Sequence, residues 1–174
     1  NIGHLAFFDC LLLNPLPIPS CLVTIGDTVF AHCSSAKEAE FPPSATTMGR
    51  HTFEMCELLE KVIIPPSVTF IGENSFFGCK NLIQADIPPH VTSIENYAFY
   101  ACEKLKEIKI PQKLTKIGKH AFYNCLLVKE LIIPPTVTFI GDNSIQNCSS
   151  ITEIEIPSSV TSIGNCVFYG CSSL

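Results

Sequence analysis

The sequence predicts an α/β repeat solenoid, an arc with a parallel inner β-sheet and irregular or 3₁₀ outer turns. Three observations predict it. Ile-Pro or Phe-Pro pairs begin at Ile18, Phe41, Ile64, Ile87, Ile110, Ile133 and Ile156, always 23 residues apart. Cysteines fall at Cys10, Cys33, Cys56, Cys79, Cys102, Cys125, Cys148 and Cys171, again in steps of 23. Aromatic residues keep the same period at Phe7, Phe30, Phe53, Phe76, Phe99, Phe122 and Phe168, with Ile145 the one substitution. A fixed period without insertions marks a stack of like supersecondary units, each unable to bury its apolar side alone.

The repeat from Ile87 to Lys109 shows how each element arises. Leu105, Ile108 and Ile110 mark a short strand, with one-in-two alternation at Ile108, Lys109 and Ile110. Pro111 ends it, because proline has no N–H to donate to a ladder. The Pro-Pro steps at Pro65-Pro66, Pro88-Pro89 and Pro134-Pro135 favour an extended exit. Val91 and Ile94, three apart, then point inward. A glycine column follows at Gly3, Gly26, Gly49, Gly72, Gly118, Gly141 and Gly164, and is expected to supply a turn of positive φ. Glu95 interrupts that column, so it is either strained or the turn differs locally. Ala98, Phe99 and Cys102 suggest a short helical or 3₁₀ turn with its apolar side inward. Strands stacked about 4.8 Å apart then give an arc roughly 35 Å long, strands inside and turns outside.

Composition narrows the class further. Hydrophobic residues make up 47 % of the 174 and charged residues 16 %, which suits one packed unit rather than a disordered chain. The net charge of −5 disfavours nonspecific nucleic-acid binding. No apolar run approaches the roughly 18 residues of a membrane span. Leu5–Leu13 has some likeness to a signal-peptide core, but Asp9 interrupts it and the segment fits the repeat. Residues 1–174 read as a single array of about seven and a half repeats that opens and stops partway through a repeat, hence as a piece of a longer array.

The pattern Ile87-Pro88-Pro89-x-Val91-Thr92-x-Ile94, then Ala98-Phe99-x-x-Cys102-x-x-Leu105-x-x-Ile108, resembles the BspA-like leucine-rich repeats. Ile156-Pro157-Ser158-Ser159-Val160-Thr161-Ser162-Ile163-Gly164 and Phe168-Tyr169-Gly170-Cys171-Ser172-Ser173-Leu174 are especially close. The resemblance implies a leucine-rich repeat arc. It also implies a place on the cell surface or in secretion, as on mucosal bacteria and anaerobic protists, and adhesion to host proteins such as fibronectin or to other cells. One departure from the commoner leucine-rich pattern is the asparagine slot after the strand. It holds Cys21, Ser44, Ser67, His90, Lys113, Thr136 and Ser159, so no asparagine ladder is expected there.

The cysteine column does not suit zinc, which wants close pairs, and stacked side chains pointing in parallel do not suit disulfides. Buried free thiols acting as small apolar residues are expected. Cys21 and Cys166 lie outside the column as single thiols without a histidine column beside them. His4, His32, His51, His90 and His120 form no metal pair. No nucleophile elbow, P-loop, dinucleotide fingerprint or H-E-x-x-H occurs. No catalytic residue, metal or cofactor is therefore expected. Asn147-Cys148-Ser149 is a formal glycosylation acceptor, doubtful because Cys148 belongs to the buried column. Lys104, Lys106, Lys113, Lys116 and Lys119 read as a second patch or as a solvated face. Phe70 and Phe139 read as exposed apolar contacts or as packed residues.

The inner face is the informative surface. The column before the strand hydrophobe is Glu38, Lys61, Gln84, Glu107, Glu130 and Glu153, and the column after it is Glu40, Ile63, Asp86, Lys109, Ile132 and Glu155. Together they carry −5, as much as the whole chain. These columns suit a basic or mixed protein partner, or merely keep the sheet soluble. The expected contact residues are Glu107, Lys109, Glu130, Ile132, Glu153 and Glu155. The expected function is a protein-binding module for adhesion to an extracellular matrix, host or microbial protein, at the cell surface or secreted. The alternatives are an intracellular (cytoplasmic) protein-interaction scaffold and a structural spacer. The sequence leaves the oligomeric state open.

Overall fold

A computed structural model describes residues 1–174. Every regular element is a short strand: β1 Thr24–Ile25, β2 Glu38–Glu40, β3 Thr47–Met48, β4 Lys61–Ile63, β5 Gln84–Asp86, β6 Ser93–Ile94, β7 Glu107–Lys109, β8 Lys116–Ile117, β9 Phe139–Ile140 and β10 Ser162–Ile163. All pairings are parallel, and residues 23 apart face each other, as in Glu38↔Lys61, Gln84↔Glu107 and Lys116↔Phe139. The molecule is a β-solenoid in which like residues sit on like.

The coils build two ladders. The inner sheet runs β2-β4-β5-β7. A second sheet, β6-β8-β9-β10, follows the proline exit, with β1-β3 a separate pair in the same column. This second ladder has no period-two signature, since β6, β8 and β9 each keep only one fully buried residue (Ile94, Ile117, Ile140) and β10 at the end of the sheet keeps none.

No helix forms, so the α component expected from Ala98, Phe99 and Cys102 is corrected to turns alone. Those apolar residues are buried as expected. The cause lies in two left-handed columns. One runs Leu5, Thr28, His51, Asn74, Tyr97, His120, Asn143 and Cys166, and φ there lies between 53° and 61°. The other runs Asp9, His32, Met55, Gly78, Ala101, Asn124, Asn147 and Gly170. Two left-handed residues four apart cannot propagate a right-handed helix. They aim alternate N–H groups along the solenoid axis instead. Phe53 N–H reaches Ser75 O (2.9 Å), Phe76 reaches Ala98 O (2.9 Å) and Phe99 reaches Ala121 O (2.8 Å).

The glycine column is also corrected. None of its members has positive φ. Its role is close approach: a Cβ on Gly141 would stand 2.7 Å from Lys119 N, and one on Gly49 would run into the Gly26 carbonyl. Backbone packs directly on backbone there. Glu95 is not left-handed either. The difference is in the ladder. Ile71 bridges back to Met48, β6 pairs only forward to β8, and nothing joins Ile71 to Ile94. The one residue of the column with a bulky side chain thus sits where the second sheet breaks.

The core is built of columns. Phe7, Phe30, Phe53, Phe76, Phe99 and Phe122 stack with centroids 5.1–5.8 Å apart and rings within 16° of parallel. Burying each such ring stabilises by roughly 1.5–3 kcal/mol. Beside the stack, each column thiol from Cys33 onward donates to a carbonyl one coil back, for example Cys56 Sγ to Phe30 O (3.0 Å) and Cys125 Sγ to Phe99 O (3.2 Å). The thiols are therefore hydrogen-bond donors as well as filler. In the slot where an asparagine ladder was not expected, a hydroxyl ladder stands: Ser44 Oγ to Leu22 O (2.6 Å), Ser67 Oγ to Ala45 O (2.6 Å) and Thr136 Oγ1 to Leu114 O (2.6 Å).

Candidate interaction surface

On the inner sheet the pleat fixes which residues meet solvent. Ala39, Val62, Ala85 and Ile108 turn into the core, and their flanking residues turn out. The ladder then stops. Glu60 N–H reaches Lys37 O (2.8 Å), Ile83 N–H reaches Glu60 O (3.1 Å) and Lys106 N–H reaches Ile83 O (2.9 Å), but no backbone bond joins 106–110 to 129–133. Residues 130–132 and 153–155 form no strand, so the inner sheet spans four coils rather than the whole arc.

Where the ladder opens, two adjoining grooves form. The first, about 690 Å³, includes Glu107, Lys109, Glu130 and Ile132 in its lining. The second, about 580 Å³, includes Glu130, Ile132, Glu153 and Glu155. All six residues expected as contacts therefore line one continuous stretch of surface. Ile132 is 65 % exposed at its centre. Lys109 Nζ lies 3.9 Å from Asp86 Oδ1, whereas Glu107, Glu130, Glu153 and Glu155 make no ion pair. Lys106 and Lys129, in the column just before the acids, also line the first groove. Its surface is therefore mixed in charge, and the acidic excess belongs to the second groove.

Sequence reasoning missed a second surface on the turns. Phe77, Tyr100 and Tyr123 stack at 4.6 and 4.7 Å with rings 3° from parallel, and Tyr97 stacks on His120 at 4.8 Å. Burial against these rings lowers the His120 pKa below its ordinary value, and His120 Nδ1 is buried without a partner. The signal was present as aromatics 23 apart, outside the Phe7-to-Phe168 column.

The remaining candidates divide. Lys104, Lys116 and Lys119 are each tied to a neighbouring coil, through Asn81, Glu95 and Asp142. Phe70 is exposed and Phe139 half-buried. All ten cysteines are unpaired, with Cys21 and Cys166 exposed. Burial pushes the Cys33 thiol up to about 11 and Cys148 up to about 12, and raises Cys56, Cys79, Cys102 and Cys125 as well. Such thiols are poor nucleophiles and poor ligands at neutral pH. Asn147 donates its amide to Asn124 Oδ1 (2.9 Å) and precedes the buried Cys148, so the glycosylation triplet is engaged in the stack. No group of three or more His, Cys, Asp or Glu is placed to hold a metal ion. No helix is long and apolar enough to cross a membrane.

Comparison with known proteins agrees with this architecture. The profile of the BspA type leucine-rich repeat region matches in 6 copies, over residues 1–128 and 69–174. A leucine-rich repeat protein of T. pallidum superposes with a TM-score of 0.83 at 26 % identity, over 93 % of this chain and 74 % of that one. A leucine-rich repeat protein of Bacteroides ovatus superposes with a TM-score of 0.67 at 25 % identity, and this chain spans 62 % of its length. The pneumococcal vaccine antigen PcpA shares the fold, with a TM-score of 0.59 at 20 % identity over 88 % of this chain and 47 % of its own. No curated protein matches the chain.

Proposed function

Since the chain belongs to the BspA-type leucine-rich repeat family, whose solenoids are generally non-catalytic protein-interaction modules, we propose that this array mediates adhesion to a host or microbial protein from the cell surface or a secreted form. The observation that carries this reading is the row of unpaired carboxylates along the open grooves, with Ile132 exposed between them. Charges left without internal partners around an apolar centre suit a polar-rimmed protein interface. Glu107, Lys109, Glu130, Ile132, Glu153 and Glu155 are the contacts.

The test has two arms. An impermeant biotin reagent applied to intact cells is expected to label the protein, and labelling only after lysis overturns the surface location in favour of an intracellular scaffold. The purified array is then offered to immobilised extracellular matrix proteins, beginning with fibronectin, beside the folded triple variant Glu107→Lys, Glu130→Lys, Glu153→Lys. Binding by the parent and at least about a tenfold loss in the variant, or roughly 1.4 kcal/mol, is expected. Equal binding by both removes the inner face as the contact surface.

A further inference from the structure

We propose that the inner face binds one extended segment of a partner protein, laid along the solenoid axis over the column from Glu40 to Glu155. Its side chains facing the column are, in order, basic, aliphatic, amide, aliphatic and basic. This rests on the reading that the inner face binds protein, and specifies the conformation, course and side-chain pattern of what is bound.

The chain repeats at three coils as well as at one. Residues 62–75 and 131–144 differ only at Val62 and Leu131, Ser67 and Thr136, and Glu73 and Asp142. Both stretches carry an exposed isoleucine, Ile63 and Ile132, where the two coils between them carry Asp86 and Lys109. The grooves repeat in the same way. A third groove, about 360 Å³, lies beside β4, and Ile63 stands in it among Glu38, Glu60, Lys61 and Asp86. Three coils on is the second groove, where Ile132 stands among Lys129, Glu130, Glu153 and Glu155. Each has one exposed isoleucine and three carboxylates against one lysine, so each is net acidic.

The column through both grooves reads Glu40, Ile63, Asp86, Lys109, Ile132 and Glu155, all exposed. Glu40 is in register with Ile63, and Asp86 with Lys109. Lys109 Nζ lies 3.9 Å from Asp86 Oδ1, whereas Glu40 and Glu155 have no ion partner. The column is therefore closed by a free carboxylate at each end, with an ion pair at its centre and an apolar residue on either side of the pair.

Spacing selects the occupant. At about 4.8 Å per coil, Ile63 and Ile132 are about 14 Å apart, and Glu40 and Glu155 about 24 Å. Along an extended chain, residues four apart on one face span about 13 Å and residues eight apart about 26 Å. Two aliphatic side chains four apart thus meet the two isoleucines and remove apolar surface from water on both sides. The residue midway falls over Asp86 and Lys109, where an amide donates to the carboxylate and accepts from the ammonium. The residues two further out fall at Glu40 and Glu155, where a basic side chain forms a charge-assisted bond. On a helix, same-face residues seven and eleven apart span about 10 and 16 Å and bracket the isoleucine spacing without meeting it. The segment crosses over the coils and does not enter between them, so the bonds that hold the coils together are kept.

The test uses the full chain, isotope-labelled, and a nine-residue peptide. The peptide has lysine at both ends, valine at its third and seventh positions, glutamine at its centre and threonine between. The backbone amide resonances of Ile63 and Ile132 are expected to shift together with one midpoint. A peptide shortened so that its valines stand two apart is expected to bind at least about tenfold more weakly, and so is one with glutamate for lysine. Ile63→Ser and Ile132→Ser, at exposed positions, are each expected to weaken the parent peptide to the same degree. Equal affinity of the shortened peptide, or of either serine variant, overturns the two-isoleucine register. Equal affinity of the glutamate peptide overturns the basic ends. If the parent peptide shifts neither amide while the triple lysine variant still loses fibronectin, this proposal fails and the inner-face reading stands. If the variant also keeps fibronectin, both fail.

Discussion

Cys102 Sγ donates to the carbonyl oxygen of Phe76 at 3.2 Å, so the thiol of one coil caps the aromatic residue of the coil before it. The pairing recurs from Cys33 with Phe7 to Cys148 with Phe122, and Cys171 closes the series on Ile145. It makes the cysteine column a structural ladder and fixes the order of stacking at each step.

Cys102→Ala removes the thiol donor, while the Phe76 carbonyl keeps its bond from Cys79 N–H (3.2 Å). It is expected to lower stability by about 0.5–1.5 kcal/mol, measured by urea unfolding. In the native chain, iodoacetamide is expected to modify the exposed Cys21 and Cys166 long before any buried column thiol. Labelling of Cys79 or Cys102 at the rate of Cys166 would contradict the ladder.

The glycine column is sensitive for steric reasons. Gly141→Ala places a methyl group 2.7 Å from Lys119 N, and is expected to cost about 1–3 kcal/mol by overpacking. Glu95→Ala, in the same column where the ladder is already open, is expected to stay within about 0.5 kcal/mol of the parent. Thermal unfolding of the two variants side by side separates them. Equal losses would show that the break beside Glu95 is not what admits its side chain.

Phe99 lies mid-stack between Phe76 and Phe122, fully buried. Phe99→Ala is expected to cost about 3–5 kcal/mol. Phe168, only half-buried in the last coil and next to Ile145 in the column rather than another ring, is expected to lose much less on the same change. Denaturant midpoints compare them, and similar losses would argue against cooperative stacking.

His120 links stability to pH. Burial against Tyr97 and its neighbours lowers its folded-state pKa below 6.5; Asp142 opposes the shift and Lys119 adds to it. Because the folded value is depressed, the stability it confers is fully present above pH 6.5 and is lost as pH falls through the lower folded-state value. The melting temperature is expected to drop between pH 7.5 and pH 5, and to drop less in His120→Tyr. Tyrosine already occupies the equivalent left-handed position at Tyr97. An identical drop in both proteins would assign the acid sensitivity elsewhere.

Much of this molecule is legible in its period. The 23-residue spacing states which residue lies on which, and so predicts the Phe stack, the buried thiols, the inward Val91 and Ile94, and the exposed row from Glu107 to Glu155. That information is carried by side-chain type, which hydrophobic burial sorts without reference to backbone detail. Polypeptide hydrogen bonding is not carried that way. Tyr97 and Ala101 adopt left-handed φ although neither residue type advertises it, because the coil must direct its N–H groups to the next coil. For the same reason the outer turns form no helix, and the glycines proved to allow backbone contact rather than a positive φ.

By itself, then, the sequence determined the register, the core columns and the charged inner face, since each follows from one residue type repeated at one spacing. Only the tertiary structure decided that the inner ladder closes through β7 and opens before Glu130, and that the second sheet breaks beside Glu95. Whether two coils bond depends on the distance between their backbones. That distance is a compromise among all the columns at once, and no single column encodes it.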